Sequence, residues 1–484
     1  MSLRDQAVSS VKWNAISMGV VTTLQLVRLA VLARLLSPTD FGLMGMILVV
    51  LGFARAFADM GISKAIIYRQ DSTRSELSSL YWLNIFAGLV VFAVVCALNP
   101  VIISFYKEPR LRGLIYVAAL TFLIAPIGQQ FQFLMQKELR FNNLARIEIA
   151  GAFANTSIAI LLAFVGVGVL SIIFGQLTGA LVRVFLLLLI GLREWRPQIL
   201  FLKRGLKRYI NFGLYQMGTR TINYVNSEVD HLLVGRMLGA EPLGYYNLAF
   251  NLAIRPYFII NPVITRVAFP LFSKVQNDTE RLKRGYLKVI QLLSMVNFPI
   301  MIGLAAVASI AIPVIFGNQW LPSIVLVQLL SIVGMLRSIA NPADSLLLAK
   351  GRADLVFKWN LAILVPTLAG LYTGARYGGI VGVATASAIL SVVYRIIEYF
   401  VLIRPMIGPC LKEYLASMWP SFWMSMAMGS MIFGIGAVLN DINPLLVLII
   451  QLLGGVSVYL VLILYLRRDL FLELKEMLLK KSMI

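Results

Sequence analysis

Basic side chains occur inside stretches of this chain that are otherwise apolar enough to cross a membrane. An arginine at the centre of a bilayer costs about 2.5–3.5 kcal/mol, whereas an apolar residue returns only about 0.3–0.6 kcal/mol. Such residues therefore face a wet interior in preference to lipid. The guanidinium group binds phosphate oxygens through its fork of donors, so the pattern predicts a cavity for a phosphate-bearing anion. The residues concerned are Arg28, Arg34, Arg55, Lys64, Arg183, Arg220, Arg236, Arg255, Arg266, Arg337 and Arg395.

Depth and helical face separate the arginines of the predicted cavity from those near helix ends. A basic residue near an end can reach the interface by extending along its helix. Arg395 and Glu398, which are near an end, have the spacing of a structural ion pair. The predicted pyrophosphate-binding arginines are Arg28, Arg55, Arg183, Arg220, Arg255 and Arg337.

Arg55 is also followed, one helical turn later, by Asp59. This spacing allows an ion pair within one helix. The pair has two interpretations. It is purely structural, or it is a switch in which substrate phosphate competes for Arg55 while Asp59 accepts a cation.

The seventh predicted segment has the clearest polar face. We expect Asn223 and Ser227 to contact the substrate. Glu228, Asp230 and the more distant Asp59 are candidates for binding H⁺ or Na⁺, because paired acids in a membrane can bind cations. The alternative is a set of hydrogen bonds between buried helices. Within about a third of the helix circumference lie Arg220, Asn223, Tyr224, Ser227, Asp230 and His231.

The elements that must position these side chains are membrane helices. The chain has 484 residues, of which 59% are hydrophobic and 13% are charged, with a mean hydropathy of +0.84. This composition is typical of an all-α polytopic membrane protein, and the runs long enough to cross number about 14. The predicted helices are 13–36, 41–67, 80–103, 114–136, 147–168, 170–192, 209–238, 243–270, 287–312, 321–349, 357–375, 380–403, 415–438 and 443–466.

Charge is distributed unevenly between the two predicted sides of the membrane. The formal net charge is +21. If both termini are cytoplasmic, nearly all basic loop residues lie inside, as the positive-inside rule requires. We therefore expect cytoplasmic termini. The basic residues form no contiguous face, so no nucleic-acid partner is expected.

Two stretches of the sequence resemble each other. Leu32–Gly42 aligns with Val234–Gly244, and each would end one helix and enter the next. Duplicated membrane domains are a common plan for transporters, although a chance match is the alternative here. A basic stretch, residues 193–208, links the two halves. It is either an amphipathic helix on anionic lipid or an ordinary basic loop. The predicted domains are an N-lobe (1–192), a basic cytoplasmic linker (193–208), a C-lobe (209–405), two further helices (406–466) and a basic cytoplasmic tail (467–484).

The sequence lacks common signatures of enzymes. It contains no Gly-x-x-x-x-Gly-Lys-Ser/Thr phosphate loop, and its single histidine, His231, excludes a His-Glu-x-x-His zinc site. Cys96 and Cys410 lie far apart and give no disulfide framework. We therefore predict a transporter that is not an enzyme and that uses no cofactor or metal.

Several short stretches resemble one known family. They are Ser79–Asn84, Pro126–Gln130 with Met135–Leu139, Tyr246–Asn251, Asn261–Arg266, and Leu336–Ser338 with Asn341–Pro342. Through them the chain resembles the Wzx-type polysaccharide flippases of the polysaccharide transport family. This family belongs to the multidrug/oligosaccharidyl-lipid/polysaccharide (MOP) exporter superfamily, and the colanic acid and teichuronic acid exporters are the nearest members.

The resemblance implies two six-helix lobes in a V-shaped, MATE-like arrangement around a cationic cavity, with two additional C-terminal helices. It implies a flippase that moves undecaprenyl-pyrophosphate-linked oligosaccharide repeat units from the cytoplasmic to the outer leaflet of a bacterial inner membrane, by alternating access. The expected partners are this lipid, membrane lipids, H⁺ or Na⁺, and polysaccharide polymerase machinery, and a monomer is expected.

Two other functions stay open. A cation-coupled multidrug antiporter of the same superfamily would favour acids over arginines in its cavity, and this sequence has the reverse. A membrane polysaccharide polymerase would carry a large loop or domain outside the membrane, whereas the predicted outer loops are short.

Overall fold

The chain folds as a multi-pass helical membrane protein. The computed structural model describes residues 3–58, 73–199, 224, 226–439 and 441–467, and within these ranges it contains helices and turns but no strand. The described helices that are long and apolar enough to cross a membrane number 11, or up to 12 if the bent pair Ala240–Pro262 and Val267–Lys274 is one span. The predicted all-α membrane class is confirmed, although most of the predicted seventh helix lies outside the described residues.

The chain divides into two compact units, one reaching to Gly244 and the other beginning at Tyr245. The first contains α1 (Leu3–Leu35), α2 (Pro38–Ala58), α3 (Arg74–Tyr106), α4 (Leu111–Ala119), α5 (Thr121–Lys137), α6 (Phe141–Phe164), α7 (Leu170–Gly191) and α8 (226–238). Helix α9 (Ala240–Ala253) crosses the boundary. The second contains α10 (Arg255–Lys274), α11 (Thr279–Phe316), α12 (Ser323–Ala349), α13 (Ala353–Glu398), α14 (Arg404–Ile407), α15 (Leu411–Val438) and α16 (Pro444–Leu466).

Side-chain caps set the starts of α2 and α3. The Ser37 backbone N–H donates to Asp40 Oδ2 at 3.0 Å, and the Asp40 backbone N–H donates to Ser37 Oγ at 3.2 Å. Thr73 and Glu76 form the same reciprocal capping box at the start of α3. Such pairs satisfy backbone donors that a helix start leaves free. The cap at Ser37 therefore fixes where the chain enters α2, within the stretch that aligns with 234–244.

The two aligned stretches contact each other through their glycines. A methyl group on Gly42 would overlap the carbonyl oxygen of Ala240, and one on Gly244 would overlap that of Pro38. In the alignment Gly42 corresponds to Gly244 and Pro38 to Ala240, so the two contacts are equivalent. Such reciprocal contacts are what a two-fold relationship produces. The short repeat therefore has a structural counterpart, while the wider division into lobes stays a prediction.

The boundary between the compact units differs from the predicted lobe boundary between 208 and 209. The described part of the predicted seventh helix belongs to the first unit. Tyr224 attaches this segment to α2, because its hydroxyl donates to the carbonyl oxygens of Leu48 and Val49 at 3.2 and 3.1 Å. Contacts made across a long sequence separation thus place this segment in the first compact unit, while the predicted lobes and their boundary stay a prediction.

The start of the predicted linker packs on the first unit. The ring of Trp195 lies 5.9 Å from that of Tyr81 and 5.5 Å from that of Phe131. Trp82 Nε1 donates to the Gln198 carbonyl oxygen at 2.9 Å. Residues 193–199 form turns and non-helical backbone, so no amphipathic helix begins at 193. Residues 200–208 lie outside the described ranges.

Helix α13 is a helical hairpin. Gly379 has φ 56° and ψ −141°, a conformation that favours a residue without Cβ. A methyl group on Gly382 would overlap the carbonyl oxygen of Gly374, although eight residues of continuous helix span about 12 Å. The two arms therefore fold back on each other, in agreement with the two helices predicted at 357–375 and 380–403.

Alanine at Gly42 or Gly244 is expected to lower the free energy of unfolding by about 1–3 kcal/mol, because the methyl group meets backbone atoms that cannot rotate away. Gly113→Ala in α4 is the control, since nothing lies within 4 Å of its added methyl group. There alanine should raise stability by about 0.5–1 kcal/mol through helix propensity. The measurement is reversible unfolding in detergent micelles, and equal effects at all three positions would contradict the close contact.

Candidate anion site

Two guanidinium groups of the first unit lie close enough to repel each other. Arg55 is in the last turn of α2, and Arg183 is in the middle of α7. Arg183 interacts unfavourably with Arg55 and favourably with Glu148. Both arginines are exposed, and in the described ranges neither forms an ion pair at contact distance. The structure thus brings together two of the six predicted arginines, from helices far apart in sequence.

Glycines on two helices fix the position of Arg183. A methyl group on Gly151 of α6 would lie 2.8 Å from Arg183 Cδ, and one on Gly179 of α7 would lie 2.7 Å from the Gly151 carbonyl oxygen. Arg183 Nε also donates to the Gly179 carbonyl oxygen at 3.1 Å. Because the two helices approach so closely, the aliphatic part of Arg183 lies across α6. This contact directs the guanidinium group.

Glu148 of α6 is the carboxylate that faces Arg183, and sequence reasoning missed it. Ser17 of α1 is 1% exposed, and its Oγ donates to Glu148 Oε2 at 3.0 Å. This bond joins two helices and orients the carboxylate. An available signal was that Glu148 is an acid at the start of a predicted membrane span, at 147–168.

Tyr224 is the described neighbour of Arg55 that belongs to the predicted polar face. It interacts electrostatically with Arg55. Its ring packs on α2 at Gly52, where a methyl group would overlap the hydroxyl. Gly52 precedes Arg55 by three residues, so this space lies about one helical turn from the guanidinium. A glycine here is therefore required for the tyrosine to reach α2.

The other described arginines of the prediction are in different surroundings. Arg28 lies partly buried on α1 of the first unit. In the second unit, Arg255 is exposed at the first residue of α10, and Arg337 is partly buried in α12, where it interacts with Tyr257. Among the described residues, neither Arg255 nor Arg337 forms an ion pair. Arg220, Asn223 and Asp59 lie outside the described ranges, so their predicted roles stay predictions.

The predicted cation-coupling acids of α8 surround the only histidine. His231 Nδ1 lies 3.0 Å from Asp230 Oδ1 and 3.5 Å from Glu228 Oε2. Both Asp230 and His231 are buried. In the part of the chain that the structure describes, no group of three or more His, Cys, Asp or Glu side chains could hold a metal ion. The predicted cation role of Glu228 and Asp230 stays a prediction.

Ser227, which was predicted to contact substrate, uses its hydroxyl locally. Its Oγ donates to the Tyr224 carbonyl oxygen at 2.9 Å, three residues earlier in the chain. The hydroxyl oxygen still has acceptor capacity. Ser227 is partly buried, so its predicted contact with substrate would use this acceptor.

Comparison with known proteins gives a consistent set of relatives. A family model described as polysaccharide biosynthesis protein matches residues 31–325. Lipopolysaccharide biosynthesis protein WzxC of Escherichia coli (strain K12) is 36% identical over 440 residues, covering 91% of this chain and 89% of the relative. Teichuronic acid biosynthesis protein TuaB of Bacillus subtilis (strain 168) is 36% identical over 434 residues, covering 90% of each. The resemblance drawn from the sequence motifs is confirmed.

Solved structures show the same fold at low sequence identity. Lipid II flippase MurJ, in an inward closed conformation, has a TM-score of 0.75 at 16% identity, covering 94% of this chain and 99% of that one. An inward-facing MATE-family multidrug resistance transporter of the MOP superfamily has a TM-score of 0.58 at 16% identity, covering 82% and 98%. The predicted fold type is confirmed.

Ser17→Ala is expected to lower the free energy of unfolding by about 1.5–3 kcal/mol, the usual contribution of a hydrogen bond to a charged group. In a Glu148→Gln background the same change should cost only about 0.5–1.5 kcal/mol, because the acceptor is then neutral. A double-mutant cycle measured by unfolding in micelles isolates this difference. A cost of Ser17→Ala that is the same in both backgrounds would show that the bond to Glu148 does not hold α1 to α6.

Proposed function

Because this chain belongs to the polysaccharide biosynthesis protein family, we propose that it is a flippase for undecaprenyl-pyrophosphate-linked oligosaccharide repeat units. It moves each unit from the cytoplasmic to the outer leaflet of the bacterial inner membrane, for export of exopolysaccharide, capsule or cell-wall polysaccharide. Relatives named for lipopolysaccharide and teichuronic acid biosynthesis support the substrate class. The fold shared with a lipid II flippase suits a lipid-linked cargo.

The observation that carries the proposal is that two guanidinium groups, Arg55 and Arg183, lie near each other, while the carboxylate of Glu148 faces only Arg183 of these two described residues. Two like charges among apolar helices raise the free energy of the empty site, and an anion between them would turn repulsion into attraction. A pyrophosphate has several oxygens and suits two guanidinium forks at once. Binding of the pyrophosphate group would therefore be favoured by both guanidinium groups.

The remaining predicted residues extend this site in the proposal. Arg28, Arg220, Arg255 and Arg337 add positive charge along the path of the pyrophosphate. Asn223 and Ser227 contact the sugars, for which amide and hydroxyl groups are suitable partners. The protein performs no bond-breaking step and needs no cofactor, because the cargo is the same on both sides.

Transport direction needs an energy source, and two are compatible with the chain. A gradient of H⁺ or Na⁺ could act through Asp59, Glu228 and Asp230, since acids within a membrane commonly mark ion pathways. Removal of the product by polysaccharide polymerase machinery is the other. In the proposal the protein works as a monomer by alternating access around an arginine-lined cavity. Both termini face the cytoplasm, N- and C-lobes flank the basic linker, and membrane lipids surround the helices.

The flippase activity is tested with proteoliposomes that contain a fluorescent polyprenyl-pyrophosphate oligosaccharide, by following its exchange between leaflets. Arg55→Gln and Arg183→Gln should each lower the rate about tenfold, a loss of about 1.4 kcal/mol. Arg110→Gln is the control, because Arg110 lies in a loop and bonds to Glu108 at 2.7 Å. No exchange by the unaltered protein would sink the proposal. Exchange of a cationic drug in its place would support the antiporter.

Stability without substrate should respond in opposite ways to the two substitutions. Arg55→Gln removes a repelled guanidinium and should leave the free energy of unfolding unchanged or raise it by up to about 2 kcal/mol. Arg183→Gln also removes the attraction to Glu148 and should lower stability. Thermal unfolding of the purified protein measures both. If Arg55→Gln destabilises as strongly as Arg183→Gln, Arg55 is a structural residue and not a binding one.

A further inference from the structure

A second charge network lies in the compact unit that begins at Tyr245. Arg395 Nη1 and Glu398 Oε2 of α13 form an ion pair, and their side chains are 17% and 5% exposed. The sequence predicted this pair as a structural feature. The structure adds a third charged group to it, from a different helix.

Asp344 of α12 is the added group, and sequence reasoning missed it. It interacts favourably with Arg395 and unfavourably with Glu398. Asp344 is partly buried, and within the described ranges it forms no hydrogen bond and no ion pair at contact distance. Two carboxylates therefore share one guanidinium, and only Glu398 contacts it directly.

The arginine of α12, Arg337, does not balance this surplus of negative charge. Arg337 precedes Asp344 by seven residues, which is about 10 Å along a helix. Among the described residues, Arg395 is the basic group that interacts with Asp344. With both acids ionised, the three groups would carry one uncompensated negative charge inside membrane helices.

The surroundings of these three groups are aromatic and incompletely hydrogen-bonded. Tyr286 of α11 is fully buried, and its hydroxyl has no hydrogen-bond partner in the described chain. It interacts electrostatically with Glu398 and Arg395 and stacks on Tyr414 at 6.4 Å between ring centroids. Among the described side chains, the titratable and charged groups that interact with the network from the packed elements are Tyr257 of α10, Tyr286 of α11, Arg337 of α12, Cys410, and Tyr414 of α15.

We propose that Asp344, Arg395 and Glu398 form a proton-binding site. An ionised carboxylate that lacks a partner in apolar surroundings is costly, and protonation removes that cost. Arg395 keeps its charge and pairs with the carboxylate that stays ionised. A metal cation suits the site less well, because the guanidinium would repel it and only two carboxylates are present. The bound proton belongs to the coupled pair of acids and not to one residue.

The residues of this site are different from the acids considered for ion coupling in the proposed function, which are Asp59, Glu228 and Asp230. Proton binding at Asp344 and Glu398 does not depend on the flippase proposal. Only a role for this proton in driving transport rests on that proposal.

The test relies on the fact that removing either of the two carboxylates leaves the same balance of charge. Either Asp344→Asn or Glu398→Gln leaves one carboxylate for one guanidinium, so each should abolish the bound proton wherever it resides. The readout is infrared pH-difference spectroscopy of the purified full chain in lipid, between about pH 5.5 and 8, above the titration of ordinary carboxyl groups. The unaltered protein should show the carbonyl band of one protonated carboxyl group in this range, and both single variants should lack it.

Glu413→Gln is the matched control, because Glu413 pairs with Lys283 at 3.1 Å and its side chain is 52% exposed. This variant should keep the band. Asp344→Asn loses no hydrogen bond to the described residues and is therefore the variant most expected to fold. A wild-type band in Asp344→Asn, or no band in the unaltered protein, would overturn the proton site. The band needs no substrate, so its presence without any leaflet exchange would refute the flippase proposal alone.

Discussion

The cost of charge among apolar helices is the constraint on which the rest of this structure depends. In water, a guanidinium group is solvated from all sides. In a membrane helix it must find a carboxylate, water or a bound anion. Arg183 satisfies this requirement partly through Glu148, which Ser17 holds in place. Arg55 lies near this like charge and, among the described residues, forms no ion pair, which is why an anion is proposed to bind between the two guanidinium groups.

Close helix packing is what allows such charges to be placed accurately. Without a strong hydrophobic force between helices in lipid, small residues let backbones approach and gain contact. Gly151 and Gly179 hold the stem of Arg183 across α6, and Gly52 lets Tyr224 reach α2. The same principle closes the hairpin at Gly379. Glycine in these positions therefore serves the chemistry of neighbouring polar residues as well as the fold.

The two compact units contain charge networks of opposite local balance. In the first, the described groups are two guanidiniums, Arg55 and Arg183, and one carboxylate, Glu148, a balance that favours an anionic ligand. In the second, Asp344 and Glu398 outnumber Arg395, which favours a proton. In the two proposals, binding an anion lowers the free energy of the first network, and binding a proton lowers that of the second. A lipid-linked pyrophosphate and a proton are chemically suited to these two needs.

The sequence by itself determined the membrane class, the basic side chains within the spans and the family, because hydropathy, spacing and short motifs are local properties of the chain. The sequence pattern predicted Arg55 and Arg183 as binding residues but did not predict that they lie close together. The prediction assigned no role to Glu148 or Asp344. Only the tertiary structure decided these points. The role of an acid or a base in a membrane depends on which charge faces it from another helix, and packing between residues distant in sequence sets that neighbour.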